Sequence, residues 1–190
     1  RLADLLQLAG LQKGAKHVWF ESIDQVKKDN RTFPFGASIP VKKSLEKTRF
    51  GNGTLLATTM NDRPLPPDHG YPIRTGVPGY VGARSVKWLG RIVVSDRPSP
   101  NHYVANAYKL VSNGDQDEWA AAQPIYKFPI NSAICNPPAD AKVPSGKITV
   151  SGYALPPGDP GRTIDRVEIS TDGGTTWQRT KLLSPAREYC

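Results

Sequence analysis

The chain has 190 residues, 38% of them hydrophobic, with 25 Lys and Arg against 17 Asp and Glu for a formal charge of +8. That length holds one large domain or one and a half ordinary ones, and that apolar content builds a core, which excludes a disordered chain. The positive balance suits anionic ligands, but the basic residues are scattered and no helical basic stripe is interleaved with aromatics, so nucleic acid is not expected as a partner; no apolar run reaches membrane-spanning length, so neither is a bilayer.

Leu2, Leu5, Leu6 and Ala9 recur at one-turn spacing before Gly10, which predicts a short amphipathic helix with a glycine stop. Because Arg1 to Leu6 starts inside that periodic segment, and Glu188-Tyr189-Cys190 stops just after a strand-like pattern, the chain reads as the middle of a longer protein. Val18 to Ile23 is rich in aromatic and β-branched residues and predicts a strand. Lys27 to Thr32 reads as a polar loop, Ser44 to Arg49 as a helical turn, and Thr54 to Met60 as a buried strand closing at Asn61-Asp62. Ile73 and Val77 flank a short extended piece, and Val86 to Ser95 is the clearest strand. The irregular run from Asp96 to Lys127 is long for a compact domain, and such connections are usually functional or wrap a surface.

Near Pro129 the texture changes. Lys147 to Ala154 and Arg166 to Ser170 alternate, and Thr171-Asp172-Gly173-Gly174-Thr175 is a hairpin turn, with Trp177 on the returning strand. Short antiparallel strands at this spacing predict the first strands of an immunoglobulin-type β-sandwich, with a boundary at about residue 128.

Candidate chemistry is concentrated in two Pro/Gly-shaped loops: Pro66-Pro67-Asp68-His69-Gly70-Tyr71-Pro72-Ile73-Arg74, and Val77 to Leu89 with Gly82-Ala83-Arg84-Ser85-Val86-Lys87-Trp88. Prolines and glycines fix unusual turns, and basic side chains on such turns converge on an anion. Cys135 and Cys190 form no CxxC pair and read as free thiols, with a disulfide between them left open; His17, His69 and His102 lie too far apart for a metal-binding ladder.

The two loops resemble the molybdenum-cofactor domain of the sulfite oxidase family, and the resemblance covers nearly the whole chain. It implies an α+β protein. Residues 1–128 would be the C-terminal half of that family's molybdopterin domain, mostly β with short helices, and residues 129–190 the N-terminal part of an immunoglobulin-like dimerisation domain. The implied cofactor is molybdenum-molybdopterin, held by Asp24 of the Phe-Glu-x-x-Asp stretch, by His69 and Arg74 of the first loop, and by Ser85, Val86 and Lys87 of the second. A terminal phosphate wants a guanidinium or ammonium, and a pterin edge of donors and acceptors matches a carboxylate, an imidazole and the backbone of a glycine-rich loop.

The family also has a Tyr-Lys pair matching Tyr108-Lys109, whose phenol would face substrate; Ala107 departs from it, standing where Asp is common. Neither cysteine matches the family's molybdenum ligand, so no metal ligand is expected in this chain and the ligating cysteine is expected upstream. The implied function of the intact protein is oxidation of sulfite to sulfate, with electrons passed to a haem domain, a cytochrome or oxygen, in a homodimer built through the C-terminal sandwich. The compartment stays open between the mitochondrial intermembrane space of animal-type members and the peroxisome of plant-type ones. The rival implication is a eukaryotic-type nitrate reductase, disfavoured by Gly82-Ala83-Arg84 with Val86-Lys87, since nitrate reductases more often have a second glycine and a Met there. A third reading is a non-catalytic dimerisation module, if the chain exists alone.

Overall fold

The computed structural model describes residues 1–46, 53–112 and 114–185. The chain divides into two compact units, Arg1–Tyr126 and Lys127–Cys190. The first opens with helix α1 (Leu2–Ala9), which buries Leu2 and Leu6 and ends at Gly10, whose left-handed φ of 78° is the glycine stop expected. Strand β1 (His17–Ser22) buries alternate residues, Val18, Phe20 and Ser22, as a strand with one face on a core must. A tight hairpin follows, β2 (Val26–Lys28) and β3 (Arg31–Phe33), where a polar loop is expected. Its two turn residues, Asp29 and Asn30, both have positive φ (50° and 58°), the geometry that matches the twist of a two-residue hairpin.

Strand β4 (Gly36–Pro40) has no counterpart in the sequence reading, because Gly36-Ala37-Ser38-Ile39 is short and does not alternate; its residues Gly36 to Ile39 are buried. After helix α2 (Val41–Leu45) come β5 (Leu55–Ala57), β6 (Thr59–Met60) and β7 (Arg63–Pro64). The single buried strand expected over Thr54 to Met60 is thus two short, partly exposed pieces, and Asn61 and Asp62, with φ of 52° and 60°, turn β6 back onto β7. Strand β8 (Arg74–Gly76) pairs with β5, and β9 (Leu89–Ser95) pairs with β1. The resulting antiparallel sheet has the order β4-β1-β9. Val18, Phe20, Ala37 and Ile39 from its strands meet Leu2, Leu6, Val41, Val77 and Val86 in one apolar core. Val86 stands at the end of the second loop, so that loop is anchored to the core by a buried side chain.

Within the long irregular run lie two short helices, α3 (His102–Ala105) and α4 (Gln116–Ala121). Asn101 caps α3 by accepting from the Tyr103 N–H, and Asp115 caps α4 by accepting from Glu118 N–H. No described helix is long and apolar enough to cross a membrane.

The second unit corrects the fold expected from the sequence. Its described residues hold two separate two-stranded ladders, β10 (Asn131–Asn136) with β11 (Ser151–Leu155), and β12 (Glu168–Ile169) with β13 (Gln178–Arg179). A sandwich needs two sheets whose apolar faces interdigitate; here Ile134, Ile148, Val150 and Tyr153 are all exposed, and no immunoglobulin-like sandwich is formed. The alternation of 147–154 gives a strand only from Ser151, and Trp177 precedes β13 and is exposed. Arg49, at the end of the expected helical turn, and Glu188 to Cys190 lie outside the described residues.

Candidate functional site

The first loop makes a single 3₁₀ turn at Pro67–His69 that ends on Gly70 with φ 101°. The second makes another at Gly82–Arg84, ending on Ser85. The loops pack backbone to backbone. The Trp88 indole donates to the Pro67 carbonyl at 2.9 Å, the Leu89 N–H to the Ile73 carbonyl at 2.9 Å, and the Lys87 ammonium to the Asp68 carbonyl at 2.8 Å. A Cβ added at Gly70 would lie 2.8 Å from Lys87 Cβ and 2.9 Å from its Cα, so both the space and the positive φ demand glycine.

Arg74 leaves β8 between the loops. Its guanidinium donates to the carbonyls of His69 (3.1 Å), Thr75 (3.3 Å) and Ser85 (3.4 Å). No described carboxylate forms an ion pair with Arg74 or Lys87. Both cations are therefore held by neutral oxygens, and no described carboxylate compensates their charge. The Lys87 ammonium also lies 4.5 Å above the Trp88 ring, which orients it further.

Ser85 turns its hydroxyl inward to accept the Val77 N–H at 3.0 Å. Val86 is fully buried, and Thr75 occupies both its backbone groups: the Thr75 N–H donates to the Val86 carbonyl at 2.9 Å, and the Val86 N–H donates to Thr75 Oγ1 at 2.6 Å. Its role is to fix the loop from beneath. Asp24 accepts from the Ser22 hydroxyl. The neighbouring Ile23 N–H donates to the Trp88 carbonyl at 2.9 Å, which joins the stretch carrying Asp24 to the end of the second loop. His69, Arg74, Ser85, Val86 and Lys87 thus fall in one neighbourhood, with Asp24 attached at its edge.

Tyr108 stands elsewhere. It is exposed, takes a left-handed φ of 52°, and accepts the Ile125 N–H on its carbonyl at 2.8 Å. Its ring lies 6.1 Å from that of Tyr103. Lys109 points away to the end of α4, donating to the Trp119 carbonyl at 2.9 Å. Trp88 shares the positive φ, at 48°. Such backbone strain costs on the order of 1–3 kcal/mol per residue and gathers at functional sites.

The residue that sequence reasoning passed over is Arg84. It is fully buried, yet its guanidinium pairs with no described carboxylate: Nε (3.0 Å) and Nη2 (2.7 Å) donate to the Ile125 carbonyl and Nη1 (2.8 Å) to the Tyr103 carbonyl. Burial pushes its pKa down, and the Tyr126 and Tyr108 phenols push it back up. Arginine stays charged in proteins, so this is a permanent cation inside the fold. Its Gly-Ala-Arg context was legible, but partners 19 and 41 residues away were not. Among the described residues no cluster of His, Cys, Asp and Glu could hold a metal, and Cys135 is an exposed free thiol on β10.

Two interlocked loops thus carry an arginine and a lysine that no described carboxylate pairs, near hydroxyl, imidazole and carboxylate groups, an arrangement chemically suited to an organic phosphate. The chain belongs to the oxidoreductase molybdopterin-binding family: the model of the oxidoreductase molybdopterin binding domain matches residues 1–103, and that of the Mo-co oxidoreductase dimerisation domain matches residues 122–190. The cofactor match therefore fills the N-terminal region and the dimerisation match the C-terminal one, where the sequence reading expected only half of a cofactor domain. The chain is 44% identical over 190 residues to the mitochondrial sulfite oxidase of Drosophila melanogaster, covering 96% of this chain and 32% of that protein. It is 39% identical over 200 residues to the sulfite oxidase of Arabidopsis thaliana, covering 100% of this chain and 49% of that one. Among solved structures, the sulfane dehydrogenase SoxCD of Paracoccus pantotrophus superposes with a TM-score of 0.73 at 27% identity, over 97% of this chain and 43% of the other. The chain thus spans a third to a half of the length of these curated relatives.

Proposed function

We propose that the protein to which this chain belongs oxidises sulfite to sulfate with a molybdenum-molybdopterin cofactor, and that this chain supplies the loops that hold the pterin and its phosphate. The observation that carries this reading is the Arg74–Lys87 pair, two cations held in place by carbonyls and left without a counter-charge. Arg74 offers its guanidinium and Lys87 its ammonium to the phosphate, while the Ser85 hydroxyl proton, His69 and Asp24 would match polar edges of the ring system. Val86 acts through the core, by keeping the second loop in register. When bound, the cofactor supplies the two-electron redox chemistry. What the chain's own residues add is orientation of the incoming anion and movement of its proton, a role for which Tyr108 is the candidate group.

The relatives in Drosophila and Arabidopsis are sulfite oxidases by name, and Gly82-Ala83-Arg84 with Val86-Lys87 favours sulfite over nitrate as substrate. Residues 1–128 form the cofactor region in this reading and residues 129–190 a dimerisation region, through which the protein pairs with a second copy; electrons pass from the cofactor to a haem domain, a cytochrome or oxygen. The experiment is substitution of Arg74 in the full-length protein. Arg74→Ala should lower molybdopterin content, since one charge-assisted contact is worth about 1.5–3 kcal/mol. A full complement of pterin, measured by fluorescence after release, would remove Arg74 from the cofactor site. Nitrate reduction without sulfite oxidation by the wild-type protein would replace the substrate assignment, and a strictly monomeric protein in micromolar sedimentation would remove the dimer.

A further inference from the structure

A second basic site shares no residue with the Arg74–Lys87 pair. The β2–β3 hairpin and the start of α3 face each other across an open cavity of about 870 Å³, lined by Lys28, Asp29, Arg31, Phe33, His102 and Asn106 among others. The hairpin register places Lys28 directly opposite Arg31. Like charges on directly opposed strand positions repel and cost stability. Nothing described relieves that repulsion: neither residue forms an ion pair with a carboxylate, Asp29 included. The Lys28 ammonium instead reaches across to His102 and donates to its Nε2 at 3.0 Å.

The far wall is braced. The His102 ring packs edge-on to Tyr103 with centroids 5.2 Å apart, and sits 5.9 Å from Phe33. The imidazole is therefore held in position, and Asn106 exposes its carboxamide at the end of the same helix. A concave volume within the range of small-molecule sites, a few convergent polar groups and a local electrostatic conflict that an anion would relieve are together the marks of a binding site.

We propose that this cavity binds a small molecule bearing a dianionic tetrahedral group, phosphate or sulfate, gripped by Lys28 and Arg31 from the hairpin, with His102 of α3 orienting the Lys28 ammonium. The bound dianion sits between the two opposed cations, accepts from both, and turns their repulsion into a bidentate clamp. Its organic part lies against Phe33, and the Asn106 amide supplies a further donor.

The test titrates the protein with orthophosphate and, separately, with sulfate, at constant ionic strength in chloride, reading heat by calorimetry and the unfolding midpoint in parallel. Wild type is expected to show saturable binding; whichever anion binds more tightly identifies the head group. The double variant K28Q/R31Q is expected to lose about tenfold or more in affinity, while its own unfolding midpoint without anion is unchanged or higher, because the opposed charges are gone. N106D leaves the hairpin intact and adds a repelling carboxylate; it should weaken binding likewise. K13Q, in the exposed turn between α1 and β1, should leave the titration unaltered. Absence of saturable binding in wild type, or equal affinity in wild type and both cavity variants, overturns the proposal. Binding of an acidic peptide such as oligoglutamate with none of orthophosphate or sulfate also overturns it, in favour of a protein partner.

Discussion

Gly70 and Lys87 touch through bare backbone: no atom larger than hydrogen fits between the Gly70 Cα and the Lys87 main chain. That contact sets the spacing of the two loops, and with it the separation of His69 and Arg74 from Ser85 and Lys87.

Gly70→Ala should accordingly be severe. It adds a methyl group where 2.8 Å is available and forces a left-handed φ of 101° on an L-residue. A loss of about 2 kcal/mol or more is expected, with reduced cofactor content in the full-length protein. Gly82→Ala is the control, since nothing lies within 4 Å of its added Cβ and its φ is ordinary; it should stay within about 0.5 kcal/mol of wild type. Denaturant unfolding of the two variants side by side decides the matter, and equal stabilities would show the loops to be free to separate.

Arg84→Met keeps much of the volume and removes every donor to Ile125 and Tyr103. Leaving both carbonyls unpaired should cost about 3–5 kcal/mol. Arg84→Lys should recover little, because an ammonium on a flexible stem cannot reproduce the fork that reaches both oxygens. Recovery of wild-type stability in the lysine variant would mean that charge, not geometry, is what the site requires.

For Tyr108 the informative change is to Phe, which removes one hydroxyl and keeps the ring beside Tyr103. A lost hydrogen bond to an anionic substrate, at about 1.5–3 kcal/mol, corresponds to about a 10- to 150-fold fall in kcat/KM for sulfite. Molybdenum content measured in the same full-length sample should be unchanged. Wild-type kinetics would return Tyr108 to packing.

Asp172 in the Ser170–Thr176 turn carries a pH signature. The Thr176 hydroxyl, then its amide and the Ser170 hydroxyl, hold the carboxyl at about 2, below the ordinary 3.8. A depressed acid stabilises the fold at pH values above the ordinary pKa, and that contribution is lost as pH falls toward 2. Carboxyl NMR should give a midpoint near 2 in the wild type and a higher one in Thr176→Val. A wild-type midpoint close to 4 would mean that the turn's hydrogen bonds do not form in solution.

Much of the first unit was legible in the sequence. The one-turn spacing of Leu2, Leu5, Leu6 and Ala9, the aromatic and β-branched residues of Val18 to Ile23 and the pattern of Val86 to Ser95 are local signals, though the last gives a strand only from Leu89. Strand β4 was not legible, since Gly36 to Ile39 owe their strand conformation to pairing with β1 and not to alternation. The second unit was misread for the opposite reason. Alternation over 147–154 and 166–170 was clear, but alternation states only that a face is available for burial, and here the apolar residues remain exposed. At the candidate site, motif order located the loops, yet the burial of Val86 and Arg84 depended on contacts that no spacing along the chain reveals.

The hydrogen bonds of Arg84 all end on main-chain oxygens, although the Tyr126 ring also lies 5.2 Å from its guanidinium carbon, and this shapes how the family can drift. An arginine paired with an acid leaves a trace, because the two positions must change together. Here the identities at 103 and 125 can vary while the carbonyls stay where they are. Comparison of homologues by covarying positions would therefore miss the link between the second loop and the Tyr108 segment, even though substitution at Arg84 should break it.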